Sequence, residues 1–215
     1  WEKEFPGPVP WSLQFNSSNK NFSHIYFSSC VHGNEIGSLP SFMKSIENII
    51  QGKINYSGTL TFSLGNIDAI KTQKRFIDFD MNRHFGDKEN TAPEALRANE
   101  LCQLIDECDV FIDLHQTIEP TKEAFFVISD TINNRQWAQA LHVVNKAILR
   151  DPKIDTYLTA TSYAYKKNKT ALTIELSQKG FNSKATDLCD LLITNVLNMA
   201  LELQRGLNIQ ELSEP

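Results

Sequence analysis

Val110-Phe111-Ile112-Asp113-Leu114-His115 reads as a strand apolar enough to be buried on both faces, with its polar residues gathered toward its far end. Upstream, residues 93–108 carry Pro near the first helical position and Leu96, Leu101, Leu104 and Ile105 turned inward at helical spacing. Residues 59–64 follow Gly58 as a strand and stop at Gly65-Asn66, and 23–30 form another strand that delivers His32 to its carboxyl end. Ile36, Leu39, Met43, Ile46, Ile49 and Ile50 then recur with a helical period, so Glu35 is expected where a strand-to-helix loop enters the first turn. The mixed polarity of 67–91 predicts a long functional loop that holds Arg75, Asp80, Asn82 and Arg83.

Downstream, 124–128 reads as a strand and 134–149 as a helix with the stripe Trp137, Leu141, Val144 and Ile148. Residues 171–176 form a further strand that carries Glu175, and 185–203 a long helix, after a Pro-rich lead-in at 6–10. Strands alternating with helices imply an α/β layered fold, and with no repeat or linker in view 1–215 is expected to be one domain.

The formal net charge is −5 and no long basic block occurs, so a nucleic-acid partner or an anionic membrane surface is not expected. No run approaches the length of a membrane span. Cys30, Cys102, Cys108 and Cys189 form no Cys-x-x-Cys pair, which favours reduced, buried thiols and a cytoplasmic location over a disulfide frame or a thiolate metal site. Asn-x-Ser/Thr at Asn16, Asn21, Asn55 and Asn168 carries no weight without a secretory context.

Chemistry enters through order. His32-Gly33-Asn34-Glu35, Asp80-Met81-Asn82-Arg83, Asp113-Leu114-His115 and Glu175 together supply two imidazoles, a ligand carboxylate, a separate carboxylate base and a guanidinium. In open α/β sheets the ligand crevice lies beyond the carboxyl strand ends, where His32, His115 and Glu175 all fall. His32 and Glu35, three apart across a Gly that accepts unusual dihedrals, can reach one ion. With His115 they give a His₂Glu set for one zinc ion that leaves a position open for water. Glu175 is the candidate base, Arg75 the source of positive charge for a developing oxyanion, and Arg83 with Asn82 a fork for a substrate carboxylate.

Each residue alone has a plainer reading. His115 would be a hydrogen-bonded structural residue, Glu175 a cap or ion-pair partner, Arg75 and Arg83 solvated loop charges, and Asp80 and Asp113 turn caps. His24, His84 and His142 have no comparable company and are expected to be structural or surface residues. It is the joint occurrence of the others, in this order, that favours a site.

Those motifs, with Arg75-Phe-Ile-Asp-Phe-Asp-Met-Asn-Arg83, Asp-Leu-His115-Gln-Thr and Ile-Glu175-Leu-Ser-Gln-Lys-Gly, resemble the succinylglutamate desuccinylase and aspartoacylase family, relatives of the zinc carboxypeptidases. The resemblance spans about residues 23 to 182. It implies a three-layer α/β/α sandwich with a mixed central sheet and one zinc held by His32, Glu35 and His115. It also implies Glu175 as general base, Arg75 polarising the scissile carbonyl, Asn82 and Arg83 on the substrate α-carboxylate, and Asp80 orienting a ligand histidine. The family usually carries a further C-terminal β-rich region, for which no counterpart is expected before Pro215. Near the place of the arginine that reads a second substrate carboxylate stand Tyr165, Lys166 and Lys167, of which a lysine would act as a point charge.

The leading expectation is a zinc-dependent amidohydrolase that cleaves N-acyl amino acids, small molecules with a free carboxylate. The rivals are a metallocarboxypeptidase and, from another class, a non-catalytic carboxylate-binding domain. Oligomeric state is not legible in the sequence.

Overall fold

The computed structural model describes residues 1–17, 23–153, 156 and 158–213; Asn21 and Pro215 lie outside the described residues. Seven strands form one sheet: β1 (Ser12–Asn16), β2 (His24–Ser29), β3 (Thr59–Leu64), β4 (Val110–Thr117), β5 (Phe125–Ser129), β6 (Ala147–Arg150) and β7 (Thr170–Gln178). Their spatial order is β1-β3-β2-β4-β7-β5-β6. The middle four are parallel, β1 joins β3 and β5 joins β7 antiparallel, and β6 lies parallel to β5 at the outer edge. The sheet is therefore mixed, as the resemblance implies.

Helices cover both faces. On one, α1 (Leu39–Ile50), α4 (Ile132–Ala140) and α6 (Ser183–Gln204) pack against Ile25, Phe27, Ile112, Leu114, Leu172 and Ile174. On the other, α3 (Pro93–Glu107) and α5 (Ala160–Lys166) pack against Tyr26, Phe111 and Ala171. The alternation follows from the strand pleat, which sends successive side chains to opposite faces. β4 is buried along nearly its whole length because it has strands on both sides and helices on both faces.

Several expectations are corrected. The 134–149 helix stops at Ala140: His142 enters the left-handed region at φ 48, and Ala147–Arg150 continues as β6, paired with Phe126–Ser129. Trp137, Leu141, Val144 and Ile148 keep a helical period across that break, but Ile148 sits on the edge strand, 52% exposed. The loop at 67–91 contains α2 (Ile67–Lys71), capped by the Asn66 side chain, and a 3-10 turn at Met81–Arg83 capped by Asp80. Leu96, expected inward, is exposed. β1, α5 and a short terminal helix, α7 (Ile209–Ser213), gave no periodic signal long enough to read.

No described helix is long and apolar enough to cross a membrane. All four cysteines are free and buried, and burial pushes the thiols of Cys30, Cys102 and Cys108 up to about 12. Since the thiolate is the reactive form, the native protein is expected to leave all four unmodified by an aromatic disulfide reagent and to titrate four in denaturant. Rapid labelling of the folded protein would contradict the packing.

Candidate metal centre

The chain runs β2, α1, β3 to one side and then returns through α3 to β4 on the other side of β2, so a topological switch lies at the carboxyl ends of β2 and β4. That is where the loop after β2 places His32 and Glu35, and where His115 stands near the end of β4. Cys30, at φ 59, turns the chain out of β2 into this loop. Gly33 is needed there for a reason other than the dihedral freedom expected of it. A Cβ on Gly33 would stand 2.2 Å from the Ala69 carbonyl carbon and 2.3 Å from Ile70 N, so the loop can lie on α2 only without a side chain. Glu35 lies in the loop itself, before α1 begins at Leu39.

His32, Glu35 and His115 are each at most 3% exposed, and one ligand atom from each lies within 4.8 Å of the others. Each imidazole is gripped on its far nitrogen by an aspartate: His32 Nε2 to Asp80 Oδ1 at 3.0 Å, and His115 Nε2 to Asp113 Oδ2 at 2.9 Å. In the neutral tautomer with its proton on Nε2, each imidazole would turn its Nδ1 lone pair toward Glu35, as metal ligation requires. His115 Nδ1 lies 2.9 Å from Glu35 Oε2 and His32 Nδ1 lies 2.8 Å from Oε1. The second approach is out of line, which leaves His32 Nδ1 buried without a hydrogen-bond partner among the described residues. Electron-rich atoms from three residues thus converge on one point, an arrangement that calls for a cation. Two imidazoles and a carboxylate suit zinc.

The charges around this point likewise favour positive charge there. Burial alone would raise the Glu35 carboxyl, yet His115 and His32 hold it well below the usual carboxylate range. Burial would likewise lower His115, but Asp113 and Glu35 on either ring nitrogen raise it well above its ordinary value. Asp80, despite burial, is drawn down by His32, Arg83 and Arg75.

Glu175 is the residue paired with His115 across β4 and β7, and it shares the sheet face of Asp113 and His115. Burial raises its carboxyl above the ordinary value, partly offset by His115, and its Oε2 is buried without a partner among the described residues. Arg75 donates from Nη1 to Glu35 Oε1 at 2.8 Å, with Nη2 3.6 Å from Asp80 Oδ2. Asn82 accepts the Ala160 N–H on Oδ1 at 2.9 Å, which leaves its amide NH₂ as the outward donor. Arg83 donates to the Asn82 carbonyl at 2.7 Å and lies half-exposed, 3.9 Å from Asp80 Oδ2.

Not every residue singled out belongs here. Lys167 pairs with Asp106 at 3.3 Å and lies over the Tyr163 ring, at the amino ends of β4 and β7 and so across the sheet from the histidines. His24 contacts the Glu107 carbonyl and Thr61, and His84 pairs with Asp87, consistent with structural roles.

Two contributors are not apparent from sequence alone. Asp113, part of the Asp113-Leu114-His115 motif but given no role beyond the plainer one of a turn cap, holds His115, and its position two residues earlier on the same strand was the available signal. Gln116 donates its backbone N–H to Glu35 Oε2 at 3.0 Å because the β4–β7 register shifts between His115 and Thr117, releasing that group from the ladder. Its buried side chain also accepts from Gly37 N and donates to the Gln178 and Gly180 carbonyls.

A profile of the succinylglutamate desuccinylase/aspartoacylase catalytic domain matches residues 21–200. A succinylglutamate desuccinylase from Pseudomonas fluorescens (strain SBW25) is 30% identical over 173 residues, 74% of this chain and 51% of the relative. Another, from Pseudoalteromonas atlantica, is 24% identical over 192 residues, 79% of this chain and 54% of the relative. The chain thus spans about half the length of the curated relatives it matches. Among solved structures, a succinylglutamate desuccinylase from Chromobacterium violaceum superposes with TM-score 0.79 at 21% identity, covering 93% of this chain and 72% of that one. A cell shape determinant protein from Helicobacter pylori gives 0.67 at 18% identity, covering 88% and 54%. These structural likenesses show the fold. Because the profile runs from β2 through most of α6, the chain belongs to the succinylglutamate desuccinylase/aspartoacylase family.

Proposed function

We propose that this domain hydrolyses the amide of an N-acyl amino acid, with one zinc ion held by His32, Glu35 and His115. The observation that carries the reading is the convergence of those three ligand atoms beside a partly desolvated Glu175 on the neighbouring strand. Family membership supports the same chemistry. Zinc in that position supplies a Lewis acid that brings the acidity of water toward neutrality.

The chain's own residues do the rest. Glu175 takes a proton from the attacking water as its oxygen adds to the acyl carbon, then passes that proton to the departing nitrogen as the C–N bond breaks. Its raised proton affinity suits both halves of that task. Arg75, anchored on Glu35, presents permanent positive charge to the carbonyl oxygen. The Asn82 amide and the Arg83 guanidinium hold the carboxylate of the amino acid and so fix which amide meets the base. Asp80 and Asp113 fix the tautomers of the two ligand histidines. The products are a free carboxylic acid and an amino acid. A small-molecule carboxylate is accordingly the partner, and four reduced thiols favour a cytoplasmic setting.

Metal analysis of the purified protein, followed by a panel of N-acyl amino acids beside short peptides, tests this. The expected result is one zinc per chain and release of free amine from acyl amino acids, with peptides left uncut. Peptide cleavage instead would assign a metallocarboxypeptidase. Carboxylate binding with no turnover of either would leave a binding domain.

A further inference from the structure

Between α2 and the 3-10 turn, residues 72–80 carry both Arg75 and Asp80 yet form no helix or strand. None of the side chains of 72–80 is fully buried, and Ile77 is 39% exposed, so core packing alone does not fix this segment. Its shape comes from hydrogen bonds to outside groups. Lys74 N donates to the Ala69 carbonyl and Gly33 N to the Arg75 carbonyl, each at 3.0 Å. The next turn is held by Glu94. Glu94 follows Pro93 in the first turn of α3 and is only 4% exposed. Its Oε1 accepts Ile77 N at 2.8 Å and Asp78 N at 3.1 Å, and Asn66 Nδ2 stands 3.5 Å away. A carboxylate that takes two successive N–H groups makes charge-assisted bonds, and a helix N-terminus favours the negative charge.

We propose that Glu94 is a positioning residue that anchors the segment 74–80 and so sets Arg75 on Glu35 and Asp80 on His32. Its effect on the metal rests on the zinc reading above; the anchoring itself does not. Glu94 touches neither ligand, but the segment it holds supplies a side chain to each of two candidate ligands, Arg75 to Glu35 and Asp80 to His32. The plainer role, a favourable charge at the start of α3, would affect stability without touching that segment.

Two readouts separate these roles: hydrogen–deuterium exchange of a peptide spanning 74–80, and zinc affinity by competition with a chromophoric chelator. Glu94→Ala is expected to speed exchange in 74–80 and to weaken zinc about tenfold, the lower end of what outer partners of ligands contribute. Glu94→Gln, which keeps the acceptor oxygen, should restore most of both. Leu197→Ala, buried under the opposite face, should lower Tm and leave both unchanged. Native exchange in Glu94→Ala, or faster exchange with undiminished zinc affinity, overturns the proposal. Should Glu94→Ala not fold, Glu94→Asp draws the carboxylate back by one methylene, and wild-type values there overturn it equally. If the wild-type protein binds no zinc, the zinc reading fails and the exchange measurement alone decides whether Glu94 anchors the segment.

Discussion

Glu175→Gln is expected to lower kcat by about 10³-fold, within the range that a positioned acid–base group contributes, while zinc affinity is unchanged. The substitution keeps the size and shape of the side chain and removes only its capacity to accept and return a proton. Glu175 stands apart from the three converging ligand atoms, and one of its own oxygens is already buried without a partner among the described residues, so the amide enters at little structural cost. Steady-state kinetics on the best N-acyl amino acid, together with chelator competition, check both halves. Turnover near the wild-type rate would remove Glu175 from the reaction. Loss of zinc along with activity would move it into the ligand set.

Stripping zinc should be the largest single blow to stability. An ion present at about a thousand times its Kd stabilises the folded state by about 4 kcal/mol, and each kcal/mol moves Tm by about 2–4 °C in a chain of this size. Calorimetry with excess chelator is therefore expected to show Tm about 10 °C below the zinc-loaded value. Without the ion, the negative charge of Glu35 is left to Arg75 and to a proton on His115. Glu35→Gln should melt at one temperature with or without chelator. A wild-type protein indifferent to chelator would mean that no ion contributes to its fold.

The parts of this molecule that were legible in advance are those whose signal is local. β2, β4 and β7 announce themselves because parallel strands covered on both faces must be apolar nearly throughout, and the candidate ligands stand at their polar ends. The helix expected over 134–149, real only as far as Ala140, shows the limit. Val144 and Ile148 fall on the helical period of Trp137 and Leu141 by coincidence, and what ends the helix is the backbone turn at His142, which no period reports. The same limit applies within the site. His32, Glu35 and His115 were recognisable by residue type, whereas Asp113, Gln116 and Glu94 act through partners that only folding supplies, as with the Ile77 and Asp78 N–H groups on Glu94.

Glu175 faces His115 because the two occupy paired positions on adjacent strands. A pleated ladder admits no fractional adjustment: sliding β7 by one residue would offer Ile174 or Leu176 in place of the acid, and the next acceptable alignment lies a full two-residue step away. The separation of His115 and Glu175 is therefore quantised, so variation at this site has to proceed through the loops around the pair while the pair itself stays fixed or is lost outright.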